Sequence, residues 1–255
     1  MLLKNILQFI MKVVSWNILS DEFIDKKYYP KIPFKLLDRK KRFTTILETI
    51  KKTRADVIFL QEVMIKEYEI FKSLFKGFFV SKLITIEWKY PNENFEKTES
   101  GNIILLRKSM FTDFQYIIDD FCIVSCRYNN NNICFANVHL DDLSSIKRFK
   151  QIIRVIEKTN SCDKVIIGGD FNQKYNENTK LFKFFKLNLF KPSITNNDAT
   201  YYIDKSQSID NIMFRGFRLK TSSVSNKCGK RSIGNMICQI NEYGSDHFPV
   251  IVEFH

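Results

Sequence analysis

Glycine and proline are scarce, 8 and 5 among 255 residues, which excludes collagen-like and low-complexity chains. No apolar run reaches the roughly 20 residues that a membrane-crossing helix requires. The six cysteines (Cys122, Cys126, Cys134, Cys162, Cys228 and Cys238) form no CxxC pair, and the three histidines do not join them at zinc-like spacing. Several sit inside apolar runs, as in Phe121-Cys-Ile-Val and Ile133-Cys-Phe, where cysteine reads as a small core residue. The weakly apolar stretch 2–10 has no small-residue cleavage site after it. The expectation is therefore an intracellular location, cytoplasmic or nuclear, with residues 1–11 an N-terminal extension and 12–255 one domain.

What the chain does have is apolar mass and positive charge. Hydrophobic residues make up 44% and Phe alone numbers 24, which argues against disorder and for a large buried core. Basic residues outnumber acidic ones 40 to 28, a net charge of +12. That excess attracts polyphosphates, nucleic acid or acidic surfaces. Lys, Asn, Ile and Phe are abundant together, so part of the basicity is compositional.

Short β-branched apolar runs predict strands over 12–16, 57–60, 78–86, 102–107, 122–128, 133–138, 164–167, 209–214, 219–224 and 249–254. Apolar residues at helical spacing predict helices over 37–52, 66–76, 144–158 and 179–187. Asn129–Asn132 reads as a hairpin connection, since Asn tolerates left-handed backbone. Strands outnumber helices, with hairpins beside crossovers, so the expected class is α+β: two packed mixed sheets with helices outside.

Nearly every strand runs into a polar group. The first ends at Asn17, the second at Gln61-Glu62, the run 133–138 at His139, and 164–167 at Gly168-Gly169-Asp170-Phe171-Asn172. Asp210 opens a late strand and Ser245-Asp246-His247 precedes the last. Strand ends share a sheet rim, where such groups converge on one pocket. Their chemistry suits phosphate-ester hydrolysis with a hard cation. Glu62, with Asn17 nearby, suits Mg²⁺; Asp170 suits orienting or deprotonating water, with Asn172 beside it; cationic His247 suits a phosphoryl oxygen. Singly, each has a plainer reading: an Asn after a strand is usually a turn residue, and a His on an apolar strand is usually a satisfied core residue. The ordered set is far less easily accidental.

Ser15-Trp16-Asn17, Leu60-Gln61-Glu62-Val63, Asn137-Val138-His139-Leu140, Gly169-Asp170-Phe171-Asn172, Ile209-Asp210 and Ser245-Asp246-His247, in this order, resemble the endonuclease/exonuclease/phosphatase superfamily. The resemblance implies a four-layered sandwich of two mixed sheets flanked by helices, and Mg²⁺ or Mn²⁺ at the rims. It implies Glu62 as metal ligand with Asn17 and Asp246 beside it, Asp170 and Asn172 positioning the nucleophile, and His247, oriented by Asp210, on the scissile phosphate together with His139. The loop after Asn17, the basic run Arg39-Lys-Lys-Arg42 and Ser245-Asp-His-Phe-Pro-Val250 look most like the deadenylase/nocturnin group. Phe214-Arg215 resembles the tyrosyl-DNA phosphodiesterases. Deadenylases tend to carry an adenine-stacking aromatic where this chain has Lys205. The implied activity is a metal-dependent phosphodiesterase on nucleic acid, single-stranded RNA or DNA: a 3′-exoribonuclease, or alternatively a 5′-tyrosyl-DNA phosphodiesterase or repair endonuclease. A small-molecule phosphatase and a catalytically silent binding protein are the remaining alternatives. Arg107, Lys205 and the lysines of 26–41 are candidate phosphate contacts; Tyr28, Tyr29, Tyr201 and Tyr202 are candidate stacking residues.

Overall fold

The computed structural model describes residues 10–24, 29–87, 97–117, 120–195, 199–202, 206–228 and 233–255. The first sheet runs β14 (Leu219–Val224), β15 (Val250–Phe254), β1 (Met11–Asn17), β2 (Val57–Met64), β5 (Lys97–Arg107) and β3 (Phe78–Val80), with β4 (Ile84–Glu87) also paired to β5. The second runs β10 (Lys191–Pro192), β13 (Asp210–Arg215), β9 (Lys164–Asp170), β8 (Asn131–His139), β7 (Cys122–Tyr128) and β6 (Thr112–Ile117). β11 (Tyr201–Tyr202) and β12 (Ser206–Gln207) form a small separate ladder. Each large sheet is mixed: β1–β2 and β8–β9 are parallel, the rest antiparallel.

A parallel pair needs a crossover, and helices supply both. α1 (Arg39–Thr53) joins β1 to β2 and α3 (Ser145–Thr159) joins β8 to β9. Each starts where a side chain caps it: Asp38 accepts from the Lys41 N–H and Ser144 from the Lys147 N–H. α2 (Ile65–Leu74), α4 (Lys180–Leu187) and α5 (Ile233–Tyr243) complete the set.

Strand alternation sorts the core into layers. Val13 faces the layer between the sheets, with Phe59, Phe135, Ile166, Ile212 and Val252. Its neighbours Val14 and Trp16 face the opposite side, packed with Ile46 and Ile50 of α1 and Phe71 of α2. On the far side Ile152 and Ile156 of α3 and Phe185 of α4 cover Val165 and Ile167. Each fully buried residue of this size contributes roughly 1.5–3 kcal/mol. The result is helix, sheet, sheet, helix, the four-layered sandwich expected. The sheets approach closely at Gly168, where a Cβ would lie 2.5 Å from the Phe59 ring. At Gly169, φ +154, a Cβ would stand 1.9 Å from the Val138 carbonyl oxygen. Both glycines immediately precede Asp170.

The elements depart from expectation in four places. The strand expected over 78–86 is two, parted at buried Ser81, whose hydroxyl accepts from the Ile104 N–H at 2.8 Å. β6 is an edge strand of mostly exposed residues without an apolar period to announce it, and α5 contains Gly and two Asn, poor helix formers. Finally, Cys134 and Cys162 are not independent core residues but a disulfide, as are Cys228 and Cys238. Cys134 lies opposite Val165 in the β8–β9 ladder, and the turn from α3 into β9 brings Cys162 to it, Cα atoms 5.8 Å apart. Cys122 and Cys126 are buried and free, as read. No helix among the described residues is long and apolar enough to cross a membrane. Residues 1–9 of the expected extension, Lys26, Lys27, Tyr28 and Lys205 lie outside the described residues, and Met11 already belongs to β1.

Candidate active site at the sheet rims

Three register pairs bring the polar strand ends to one rim. Asn17 of β1 pairs with Gln61 of β2, His139 of β8 with Asp170 of β9, and Asp170 with Asp210 of β13. The loop before β15 closes the circle. Ser245 donates its hydroxyl to the Asn17 carbonyl at 2.7 Å, and the Trp16 indole N–H reaches the His247 carbonyl at 2.9 Å. A cavity of about 400 Å³ opens there. Glu62, His139, Asp142, Asp170, Asn172, Asp246 and His247 line its polar side, and Leu19, Phe23, Tyr29, Tyr201 and Ile209 its other wall.

Glu62 sits at an irregularity in the β2–β5 ladder and adopts φ 61, uncommon for a residue with a side chain. That bend aims its carboxylate inward. Oε1 accepts from the Asn17 amide at 2.7 Å and Oε2 from the Ser20 N–H at 2.8 Å. Burial first, then the charge of Asp246, pushes its pKa up to about 7. The Asn17 amide oxygen accepts from the Leu19 N–H at 3.0 Å, so its NH₂ must face the carboxylates, at 2.7 Å from Glu62 and 3.3 Å from Asp170. Asn17, expected beside the metal, thus braces Glu62 and Asp170.

Asp170 lies between two imidazoles, its Oδ2 3.7 Å from Nε2 of His139 and 3.7 Å from Nε2 of His247. Oδ1 accepts from the Asn172 N–H at 2.8 Å. Burial and the neighbouring Asp210 raise its pKa. The Asn172 NH₂ is occupied by the Leu140 carbonyl at 2.8 Å, so this residue holds the turn under Asp170. The two histidines are driven apart. Burial, then the charge of His247, pushes His139 down to about 3 and keeps it neutral. Burial alone would lower His247 as well, but Asp210, bonded to Nδ1 at 2.9 Å, with Asp246 and Asp170, lifts it to about 10. One imidazole is neutral and its neighbour is a cation.

Glu62, Asp170, Asp210 and Asp246 are all buried, and among the described residues Oδ1 of Asp246 and of Asp210 has no hydrogen-bond partner. Buried carboxylate oxygens left this way fit a hard divalent cation. Possible ligand atoms of Asp170, Asp210 and His247 lie within 4.8 Å of one another, yet Asp210 Oδ2 and His247 Nδ1 are already spent on each other at 2.9 Å. Glu62 with Asp246 is the better-suited holder.

Other expectations part here. Tyr201 is at the site, its ring 4.6 Å from that of His247. Arg107 is not: it stands at the opposite end of the first sheet, bonded to Asp56 at 2.7 Å and the Ala55 carbonyl at 2.8 Å. An eleven-residue strand separates its ends by more than a side chain can span. Two residues reach the site in roles that their sequence did not announce: Tyr29, expected to stack a base, and Arg42. Tyr29 donates its hydroxyl to Asp246 Oδ2 at 2.8 Å. Buried Arg42 clamps the Leu19 and Gly244 carbonyls, at 3.0 and 2.7 Å, and pairs with Asp21. Its position was a signal: Arg42 falls four and eight residues before Ile46 and Ile50, on the buried stripe of α1.

A family model for the endonuclease/exonuclease/phosphatase family matches residues 14–247. No curated protein sequence matches. Solved structures share the fold at low identity. ANGEL2, a 2′,3′-cyclic phosphatase in complex with adenosine-2′,3′-vanadate, has TM-score 0.68 and 18% identity, covering 96% of this chain and 95% of that one. D. rerio TDP2 with single-strand DNA product has TM-score 0.64 and 16% identity, covering 96% and 99%. A Bacteroides thetaiotaomicron member of the family has TM-score 0.66 and 16% identity, covering 96% and 97%. With the model spanning nearly its whole length, this chain belongs to the endonuclease/exonuclease/phosphatase family of phosphoester hydrolases.

Proposed function

We propose that the protein is a Mg²⁺- or Mn²⁺-dependent phosphodiesterase of single-stranded nucleic acid, a 3′-exoribonuclease of the deadenylase kind. The observation that carries this reading is Asp170 set between a neutral and a cationic imidazole, facing a cavity shared with Glu62. Asp170 takes the proton of the attacking water, its raised pKa matching that task near neutral pH. His247 donates from Nε2 to a non-bridging phosphoryl oxygen, and Asp210 fixes its ring through Nδ1. His139, neutral, offers a hydrogen bond to the phosphate. Glu62 and Asp246, with Asn17 as brace, hold the cation; a bound dication would neutralise phosphoryl charge and the leaving oxygen. Tyr201 and the apolar wall at Leu19, Phe23 and Ile209 suit one unpaired base beside the phosphate.

A second reading, a 5′-tyrosyl-DNA phosphodiesterase or repair endonuclease, is favoured by the likeness over 96% of the chain to a TDP2 that holds single-strand DNA product. An intracellular setting belongs to the same proposal; the two disulfides are its counterweight, being uncommon in reducing compartments. One panel separates the readings: labelled poly(A), mixed-sequence RNA, single-stranded DNA, abasic duplex and a 5′-tyrosyl oligonucleotide, each with Mg²⁺ and with EDTA. Stepwise shortening of RNA from its 3′ end, abolished by EDTA and by Glu62→Gln, is the expected result. Cleavage in EDTA, or an unimpaired Glu62→Gln protein, overturns the metal assignment.

A further inference from the structure

Asp246 has two unlike oxygens. Oδ2 receives the Tyr29 hydroxyl at 2.8 Å, whereas Oδ1, also buried, has no hydrogen-bond partner among the described residues. Tyr29 is itself only 3% exposed and lines the same cavity as Glu62 and Asp246. The Tyr29 hydroxyl, a phenol facing an acceptor-only carboxylate, is the donor of the pair. It also stands on the far side of the loop that follows β1, and that loop is anchored independently. Arg42 ties the Leu19 carbonyl at its start to the Gly244 carbonyl two residues before Asp246. Leu36 and Leu37 at its end pack with Tyr29, Met236 and Ile240. The tyrosine is therefore held in place by more than its one hydrogen bond.

We propose that Tyr29 is a positioning residue for the metal centre: its hydroxyl occupies Oδ2 of Asp246 and so presents Oδ1 alone to the cation or its bound water. The inference rests on the reading of Glu62 and Asp246 as cation holders. Without the hydroxyl, the carboxylate is free to rotate about its last bond and to turn toward His247, whose Nε2 is 4.0 Å from Oδ1. Outer partners of ligating carboxylates set affinity by about 10–100-fold when removed.

The test is Mn²⁺ binding to the protein without substrate, read by electron paramagnetic resonance, for wild type, Tyr29→Phe, Asp246→Asn and the double variant. Tyr29→Phe is expected to weaken Mn²⁺ about tenfold while its metal-free Tm stays near wild type. Added to Asp246→Asn it should weaken binding no further, because the hydroxyl then has no carboxylate to orient. Equal Mn²⁺ affinity of wild type and Tyr29→Phe overturns the inference, as do additive losses in the double variant. A Tyr29→Phe protein that does not fold overturns it too, since the hydroxyl would then serve the fold. Failure of wild type itself to bind Mn²⁺ is a different result, and removes the metal reading on which the inference stands.

Discussion

The two ends of β2 handle acidic residues in opposite ways. Just before the strand, Asp56 takes the Arg107 guanidinium at 2.7 Å and the Lys12 N–H at 2.9 Å, and Arg107 lies over the Phe78 ring, 4.8 Å from its centre. That cluster is complete: the charge has its counter-charge and solvent reaches it. At the far end, Glu62 shares a buried rim with Asp170, Asp210 and Asp246, and among the described residues the cation set against them is the His247 imidazolium. The first arrangement stabilises a sheet end. The second keeps negative charge out of water without matching it, an electrostatic cost that a dication and a phosphate group would relieve.

The contrast breaks most visibly at Asp170. Asp170→Asn should lower kcat by roughly 10⁴-fold, yet raise the Tm of the metal-free protein at pH 8 by about 2–4 °C, since a buried charge is removed. Kinetics and calorimetry on one preparation check both signs. A smaller but still large loss is expected at Asp210. Asp210→Asn removes the chief support of the His247 cation, so kcat should fall by roughly 10²–10⁴-fold, with the His247 ring resonance titrating well below its wild-type position in NMR.

The pH dependence of stability sharpens the comparison further. The pKa of Glu62 lies near 7 in the fold against an ordinary 4.5, and that of Asp170 is also raised. The native state therefore binds more protons than the unfolded state between these limits, and stability falls as pH rises through that window. His247, raised from 6.5 to about 10, extends the fall above neutrality. His139, lowered from 6.5 to about 3, acts the other way below pH 6.5, one group against two carboxylates. Metal-free Tm should be lower at pH 8 than at pH 5, and Mg²⁺ should raise it more at pH 8; a scanning calorimeter with and without EDTA decides it. The mildest effect belongs to the matched end. Arg107→Ala should cost about 1 kcal/mol of stability and leave kcat/KM on RNA unchanged; a loss of activity would put Arg107 back among the substrate contacts.

Much of this was open to a reader of the chain. The layers follow from apolar runs of the right length, and Cys122–Tyr128 and Leu219–Val224 fall within the residues expected from pattern alone. Glu62, Asp170 and His247 stood out because charged groups at the ends of apolar strands have no packing reason to be there. Residues whose role depends on a partner far along the chain gave a weaker signal or none. Tyr29 reads as a stacking aromatic until Asp246, 217 residues on, receives its hydroxyl. Gln61 and Asn137 join the two sheets at 2.7 Å beneath the site, and nothing in either segment names the other. Arg107 misled for the converse reason, as a basic residue ending a strand at the wrong rim.

Periodicity and residue type are local properties, so the amino-acid order alone settled most of the strands and helices, which side of each is apolar, and which polar groups terminate them. Only the folded arrangement decided which strand ends meet, which cysteines bond, and which carboxylates gather at one buried rim. These depend on distances between parts of the chain that share no local pattern, and on burial, which turns an ordinary aspartate into one with a raised pKa.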